Sequence, residues 1–314
     1  MNGKIAIIGA GAVGSATAFA LTIRGTAREI VLVDINEKKA NAEALDIEHG
    51  SLFYPTNKIV GTDDYAAIEG SELVIITSGA RQEPGQTRLE LAGATIEIIK
   101  KIMPAALEHA PTAKYLIVSN PVDVVTYAAQ EISGLNCSQL FGSGTLLDSS
   151  RLRTKISEVT GVNVRNVHAY IAGEHGDSEI VLWSSALLGG VPILEWKALP
   201  GYEQLTLELR ESIRESVVNA AYKVIEGKGA TNYAVALACD NIASAVLKNE
   251  SRVMPVSSRV FDIPGLEGVC LSLPFVVNSK GVTNRVAAPL NTDELAGLRA
   301  SADNLRATLK HVGF

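Results

Sequence analysis

The chain has 314 residues, 47% of them hydrophobic and 20% charged, with a formal net charge of −6. That balance buries a sizeable core and argues against nucleic acid or an anionic membrane as the main partner, so an anionic substrate must be captured by local arginines. Cys137, Cys239 and Cys270 are few and scattered, which fits reduced, buried thiols better than a disulfide framework or a metal site, and no run of about 18 apolar residues indicates a membrane span.

Lys4–Ile8 is an apolar run ending in glycines and reads as a buried parallel strand. A strand this early leaves no room for a signal peptide, so a cytoplasmic protein is expected. Ala12–Arg24 follows a helical pattern, Glu29–Val33 is a second apolar run, and 37–49 looks helical. Residues 73–77 and 115–119 are further buried-strand candidates, with Arg88–His109 a long helix between them. Strand and helix alternate to about Phe141, which predicts an α/β fold with an N-terminal doubly wound parallel sheet over residues 1–142.

The pattern changes after Gly142. Leu146–Thr160 is helical, 164–172 and 179–184 look like strands, and 202–227 and 233–248 are helical. Residues 251–261 and 268–278 read as antiparallel strands, and a last helix starts near Thr292. Residues 143–314 therefore form a mixed α+β domain, and the lack of a linker predicts a large interface between the two halves.

Gly9-Ala10-Gly11-Ala12-Val13-Gly14 follows the first strand and opens the first helix. Gly9 permits the turn, Gly11 lets backbone approach a pyrophosphate, and Gly14 lets helix and strand pack closely. The helix N-terminus presents N–H groups to the phosphates. Asp34 ends the second strand, where a carboxylate binds both ribose hydroxyls and repels a 2′-phosphate. The cofactor expected is NAD rather than NADP.

Ala172-Gly173-Glu174-His175-Gly176-Asp177 places one histidine between glycines and acids. An imidazole changes charge near neutral pH and carries protons in either direction. Asp148 and Arg151 are three apart on a predicted helix and share a face. The stretch 79–91 is a polar loop suited to act as a lid.

In order and spacing, GAGAVG, TSGARQEPGQTR, VSNPVD, GSGTLLDSSRLR, NVHAYIAGEHGD and KGAT resemble the L-lactate dehydrogenase branch of the lactate/malate dehydrogenase family over nearly the whole chain. The resemblance implies a Rossmann domain and a catalytic domain that interconvert pyruvate and L-lactate with NAD. It makes His175 the proton acceptor from lactate and the donor to pyruvate, with Asp148 orienting the imidazole and Arg151 clamping the substrate carboxylate. It further implies that Arg88 arrives with the closing loop and polarises the carbonyl. Asn120, before a cis proline, would bind substrate and position the nicotinamide, and Thr231 would line the substrate pocket. NAD contacts extend, by the same resemblance, to Val13, Lys39, Tyr65, Gly79, Ala80, Val118 and Ser143.

Gln82 is the position that separates substrates. Malate dehydrogenases of the family carry arginine at the matching site, to pair the second carboxylate of oxaloacetate; a neutral glutamine disfavours it. Arg81 is one place earlier, and the spacing to Arg88 selects Gln82 as the reader. Arg153 and His168 match positions that bind fructose 1,6-bisphosphate at a subunit interface of allosteric bacterial members. A homotetramer is expected on the same ground. A malate dehydrogenase and a non-catalytic NAD(H) sensor are the alternatives; the His175/Asp148/Arg151/Arg88 set disfavours the second.

Overall fold

The computed structural model describes residues 3–55, 57–80 and 88–314. Its first half runs β1 (Lys4–Ile8), α1 (Ala12–Arg24), β2 (Glu29–Val33), α2 (Glu37–Glu48), β3 (Lys58–Thr62), β4 (Leu73–Ile76), α3 (Arg88–His109), β5 (Lys114–Ile117), α4 (Val122–Ser133) and β6 (Leu140–Gly142). The strands pair in parallel, with β1 between β2 and β4. They are apolar almost without interruption because helices cover both faces. Ile5 and Ile7 share a core with Leu21, Ile242 and Val246, whereas Ala6 and Ile8 pack with Ile99, Met103 and Val125.

The second half contains α5 (Leu146–Thr160), β7 (Val167–His168), β8 (Ile171–Ala172), β9 (Ile180–Val181), β10 (Leu187–Leu188), β11 (Val191–Pro192), α6 (Leu207–Val218), α7 (Ala220–Lys228), α8 (Tyr233–Leu247), β12 (Arg252–Arg259), β13 (Cys270–Asn278), β14 (Gly281–Arg285) and α9 (Thr292–His311). β12 and β13 are antiparallel neighbours, as expected. Ser257 of β12 pairs with Gly142 of β6, so one sheet runs β14-β13-β12-β6-β5-β4-β1-β2-β3. The two halves are thus joined by backbone as well as side chains, and α8 returns to pack on α1. No described helix is long and apolar enough to cross a membrane.

Three expected elements differ. The stretch 164–172 is a short 3-10 turn and two separate two-residue strands, because β7 pairs with β10 whereas β8 pairs with β9. The 179–184 strand shrinks to β9, after which Trp183–Ser185 turns into a 3-10 helix. The helix expected over 202–227 starts only at Leu207, where Thr206 accepts the Leu209 N–H, and divides at Asn219 into α6 and α7.

Candidate active site

At the end of β1 the backbone of Gly9 takes φ +113° and the chain turns into α1. A Cβ on Gly14 would lie 1.8 Å from the Gly9 carbonyl oxygen, so only glycine allows helix and strand to meet here. A Cβ on Gly11 would meet nothing within 4 Å. Gly11 caps α1 without a side-chain acceptor, which leaves first-turn N–H groups facing that open space. Asp34 stands at the end of β2, accepting the Ala10 N–H at 2.7 Å and the Asn36 N–H at 2.9 Å. The phenol of half-buried Tyr65 is pushed up by burial and then by the Asp34 charge, which places the two side chains in one field. Open space, helix N-terminus and anchored carboxylate fit a dinucleotide. Lys39 is exposed on the first turn of α2, whereas Val13 packs against the core.

The other expected cofactor residues follow the ends of β4, β5 and β6, the carboxyl edge where such sheets take ligands. Gly79 and Ala80 follow β4, and the Ala80 N–H donates to Thr95 Oγ1 at 3.2 Å. Val118 and Asn120 follow β5; Ser119 between them donates to the Ser78 carbonyl at 2.6 Å and ties these loops together. The Asn120–Pro121 peptide is cis. Ser143 follows β6, its N–H bonded to the Ile117 carbonyl at 2.8 Å.

α5 and the loop after β8 converge on one carboxylate. Asp148 Oδ2 lies 2.6 Å from His175 Nδ1, and Asp148 Oδ1 accepts Arg151 Nη1 at 2.7 Å. The Asp148 side chain is 3% exposed and that of His175 26%, so the carboxylate is shielded while the imidazole reaches solvent. Burial pulls the imidazole down, but the Asp148 charge and hydrogen bond outweigh it, and with Asp123 and Glu179 raise it to about 9. Burial likewise opposes ionisation of Asp148, yet His175 and Arg151 hold it below the usual carboxylate value. The result is an imidazolium–carboxylate pair beside a guanidinium, which can donate a proton to a carbonyl oxygen and bind a carboxylate.

Several supports were not foreseen from sequence. Asp123, buried on the first turn of α4, accepts the His175 backbone N–H at 2.7 Å and the Ser257 hydroxyl at 2.6 Å. Burial pushes its carboxyl up to about 6 against those two hydrogen bonds. Ser301 of α9 accepts the Glu174 N–H at 2.7 Å. The helix therefore also braces the histidine loop. The only sequence signal for Asp123 was its place in VSNPVD.

Gln82 and its neighbour Arg81 lie outside the described residues. Arg88 is the first residue of α3, and its side chain is also outside them. Thr231 lies just before α8, whose cap position is Asn232. Arg153 and His168 share an open cavity of about 690 Å³ with Arg165, Asn241 and Arg252. Arg153 is fixed there by its bond to the Ala169 carbonyl at 2.9 Å and by stacking over Tyr170 at 5.0 Å.

Two family descriptions match the chain: lactate/malate dehydrogenase, NAD binding domain, over residues 3–142, and lactate/malate dehydrogenase, alpha/beta C-terminal domain, over residues 145–313. The chain is 55% identical over 311 residues to an L-lactate dehydrogenase of Bifidobacterium animalis subsp. lactis (strain AD011), covering 99% of this chain and 97% of that protein. It is 45% identical over 311 residues to L-lactate dehydrogenase 1 of Clostridium acetobutylicum, covering 99% of each. A crystal structure of a lactate dehydrogenase from a Medee basin deep-sea metagenome library superposes with a TM-score of 0.93 at 39% identity, covering 100% of this chain and 99% of that one.

Proposed function

The chain belongs to the lactate/malate dehydrogenase family and is an NAD-dependent 2-hydroxy acid oxidoreductase; on that premise we propose that it interconverts pyruvate and L-lactate, with His175 as the proton carrier. The observation that carries the reading is one shielded carboxylate, Asp148, bonded at once to His175 at 2.6 Å and to Arg151 at 2.7 Å. NAD, when bound, accepts or supplies the hydride. Gly9, Gly11, Gly14 and Asp34 would hold it, with Val13, Lys39, Tyr65, Gly79, Ala80, Val118, Asn120 and Ser143 along its length. Residues 1–142 thus carry the cofactor and 143–314 supply the groups that act on substrate.

In the reductive direction, His175 enters protonated and gives its proton to the oxygen of the pyruvate carbonyl. Asp148 holds the imidazole at Nδ1, so the other ring nitrogen is the one that faces substrate. Arg151 takes the substrate carboxylate in a two-bond fork. Arg88 stabilises negative charge developing on the carbonyl oxygen. Asn120 and Thr231 complete the pocket, and Gln82 offers no charge to a second carboxylate. Oxidation of L-lactate reverses the proton's path, with neutral His175 as acceptor.

We further propose that fructose 1,6-bisphosphate binds the cavity of Arg153 and His168. Guanidiniums at Arg153, Arg165 and Arg252 around one opening suit phosphate oxygens. The homotetramer belongs to the same reading: α1 and α8 pack together and expose Phe19, Ile23, Tyr233 and Leu237, and Leu237 also borders that cavity. A cytoplasmic location belongs to the same proposal.

Steady-state NADH oxidation with pyruvate, oxaloacetate and 2-oxobutyrate, each with and without fructose 1,6-bisphosphate, tests this. Pyruvate should be the best of the three, and the bisphosphate should lower its half-saturation. Oxidation with oxaloacetate alone would make the chain a malate dehydrogenase, and binding of NADH without oxidation would make it a sensor. An unchanged half-saturation at every pH would remove the effector site.

A further inference from the structure

We propose that Glu179 is a proton-holding positioning residue of this site: it is neutral when pyruvate is taken up, and once ionised it turns the substrate carboxylate away from Arg151. The inference rests on the pyruvate–lactate reading above.

Glu179 lies four residues beyond His175 and is 5% exposed. One of its carboxylate oxygens, one of Asp148 and one ring nitrogen of His175 lie within 4.8 Å of one another. Its Oε1 is buried and has no hydrogen-bond partner among the described residues. An ionised carboxylate in such a place lacks the donors it needs, whereas a neutral carboxyl is far less costly there. The arginines around it already hold other carboxylates. On α5, Arg151 spends Nη1 on Asp148, and on α6, Arg214 pairs with Glu211 at 2.6 Å. Asp123 of α4 holds the backbone of the histidine loop. Burial pushes Glu179 up to about 8, with the Asp148 charge adding to it and His175, Arg151 and Arg214 pulling the other way.

The consequence is a matter of charge. With Glu179 neutral, protonated His175, Arg151 and Asp148 leave one net positive charge for the substrate carboxylate to cancel. Ionised Glu179 cancels it first, and in a low-dielectric cluster that competition is strong. Uptake of pyruvate then needs two bound protons: the one His175 donates and the one Glu179 keeps.

The test is the pH dependence of kcat/KM for pyruvate at saturating NADH, in the native protein and in Glu179→Gln. The amide imitates the neutral carboxyl, so the two should agree near neutral pH. On the alkaline limb, log kcat/KM should fall with a slope approaching about −2 in the native protein and about −1 in the variant. Parallel limbs would overturn the inference while leaving the pyruvate reading intact; no pyruvate turnover in the native protein would overturn both. A second measurement needs no variant. Calorimetry of oxamate, an unreactive amide isostere of pyruvate, binding to the protein–NADH complex in buffers of different ionisation heat counts protons taken up. Above about pH 9.5 the count should exceed one, and one or fewer would overturn the inference.

Discussion

The carboxylate of Asp123 accepts the backbone N–H of His175 at 2.7 Å, joining two residues 52 apart in sequence. Through it the first turn of α4, which follows the sheet's carboxyl edge, fixes the height of the imidazole. The same carboxylate takes the Ser257 hydroxyl, and Ser257 pairs with Gly142 at the seam between the halves. The His175 backbone is therefore registered against the NAD-binding half by one buried side chain. Asp123→Ala should lower kcat for pyruvate reduction by about 10²-fold through misplacement of the loop. It should also cost about 1–3 kcal/mol of stability through an unsatisfied buried donor. NADH affinity should hold. Fluorescence titration of NADH beside steady-state kinetics checks this; a kcat near the native value would show that the bond does not position His175.

The pH profile follows from the imidazole. His175 is raised to about 9, so the protonated form dominates below that pH. Its affinity for the proton is higher in the fold than in the unfolded chain, and that contribution to stability is lost as pH rises through about 9. At saturating pyruvate, where bound substrate keeps Glu179 neutral, the rate of reduction, which needs the His175 proton, should be flat through neutral pH and fall on passing that value. The rate of oxidation at saturating lactate, which needs the neutral ring, should rise over the same interval. In Asp148→Asn the partner charge is gone, so the midpoint should move to lower pH and reduction at neutral pH should fall by about 10²–10⁴-fold. An unmoved midpoint would separate Asp148 from the proton chemistry.

Arg151→Lys keeps the charge but loses the fork. With about 1.5–3 kcal/mol at stake per charge-assisted bond, kcat/KM for pyruvate should drop at least about 10-fold, mostly through KM. Chloride or acetate inhibition should weaken in parallel, and NADH binding should be unaffected. Unchanged kinetics would move the carboxylate clamp to another cation.

Gln82→Arg should shift preference from pyruvate toward oxaloacetate by supplying a partner for the second carboxylate. The ratio of the two kcat/KM values measures it directly. Arg81→Gln is the control: it should leave the ratio near the native one, and a large change there instead would mean that the reading is displaced by one residue.

Much of this fold was legible because its local signals agree. β1, α1, β2 and α3 fall where runs of isoleucine and valine, glycines and helical spacing indicate. What was not legible depends on distant partners. β7 and β8 look like one strand in sequence, but Val167–His168 and Ile171–Ala172 pair with different neighbours. The 202–227 stretch has a helical period throughout, yet the Thr206 cap and Asn219 decide where helix exists. In the site, spacing put Asp148 and Arg151 on one helix face, but only the family resemblance gave them roles. Asp123 and Ser301 were not legible, because only the tertiary fold brings α4 and α9 to the histidine loop. Glu179, close to His175 in sequence, was masked by its reading as the start of a strand.

The central claim is that His175 moves the proton between pyruvate and lactate, and the most direct measurement compares NADH oxidation by the native protein and by His175→Gln with pyruvate and with oxaloacetate. The native protein should oxidise NADH with pyruvate far better than with oxaloacetate. The variant should bind NADH as before and turn pyruvate over about 10²–10⁴-fold more slowly. Native-like turnover in the variant, or a native protein that binds NADH and leaves pyruvate untouched, would contradict it.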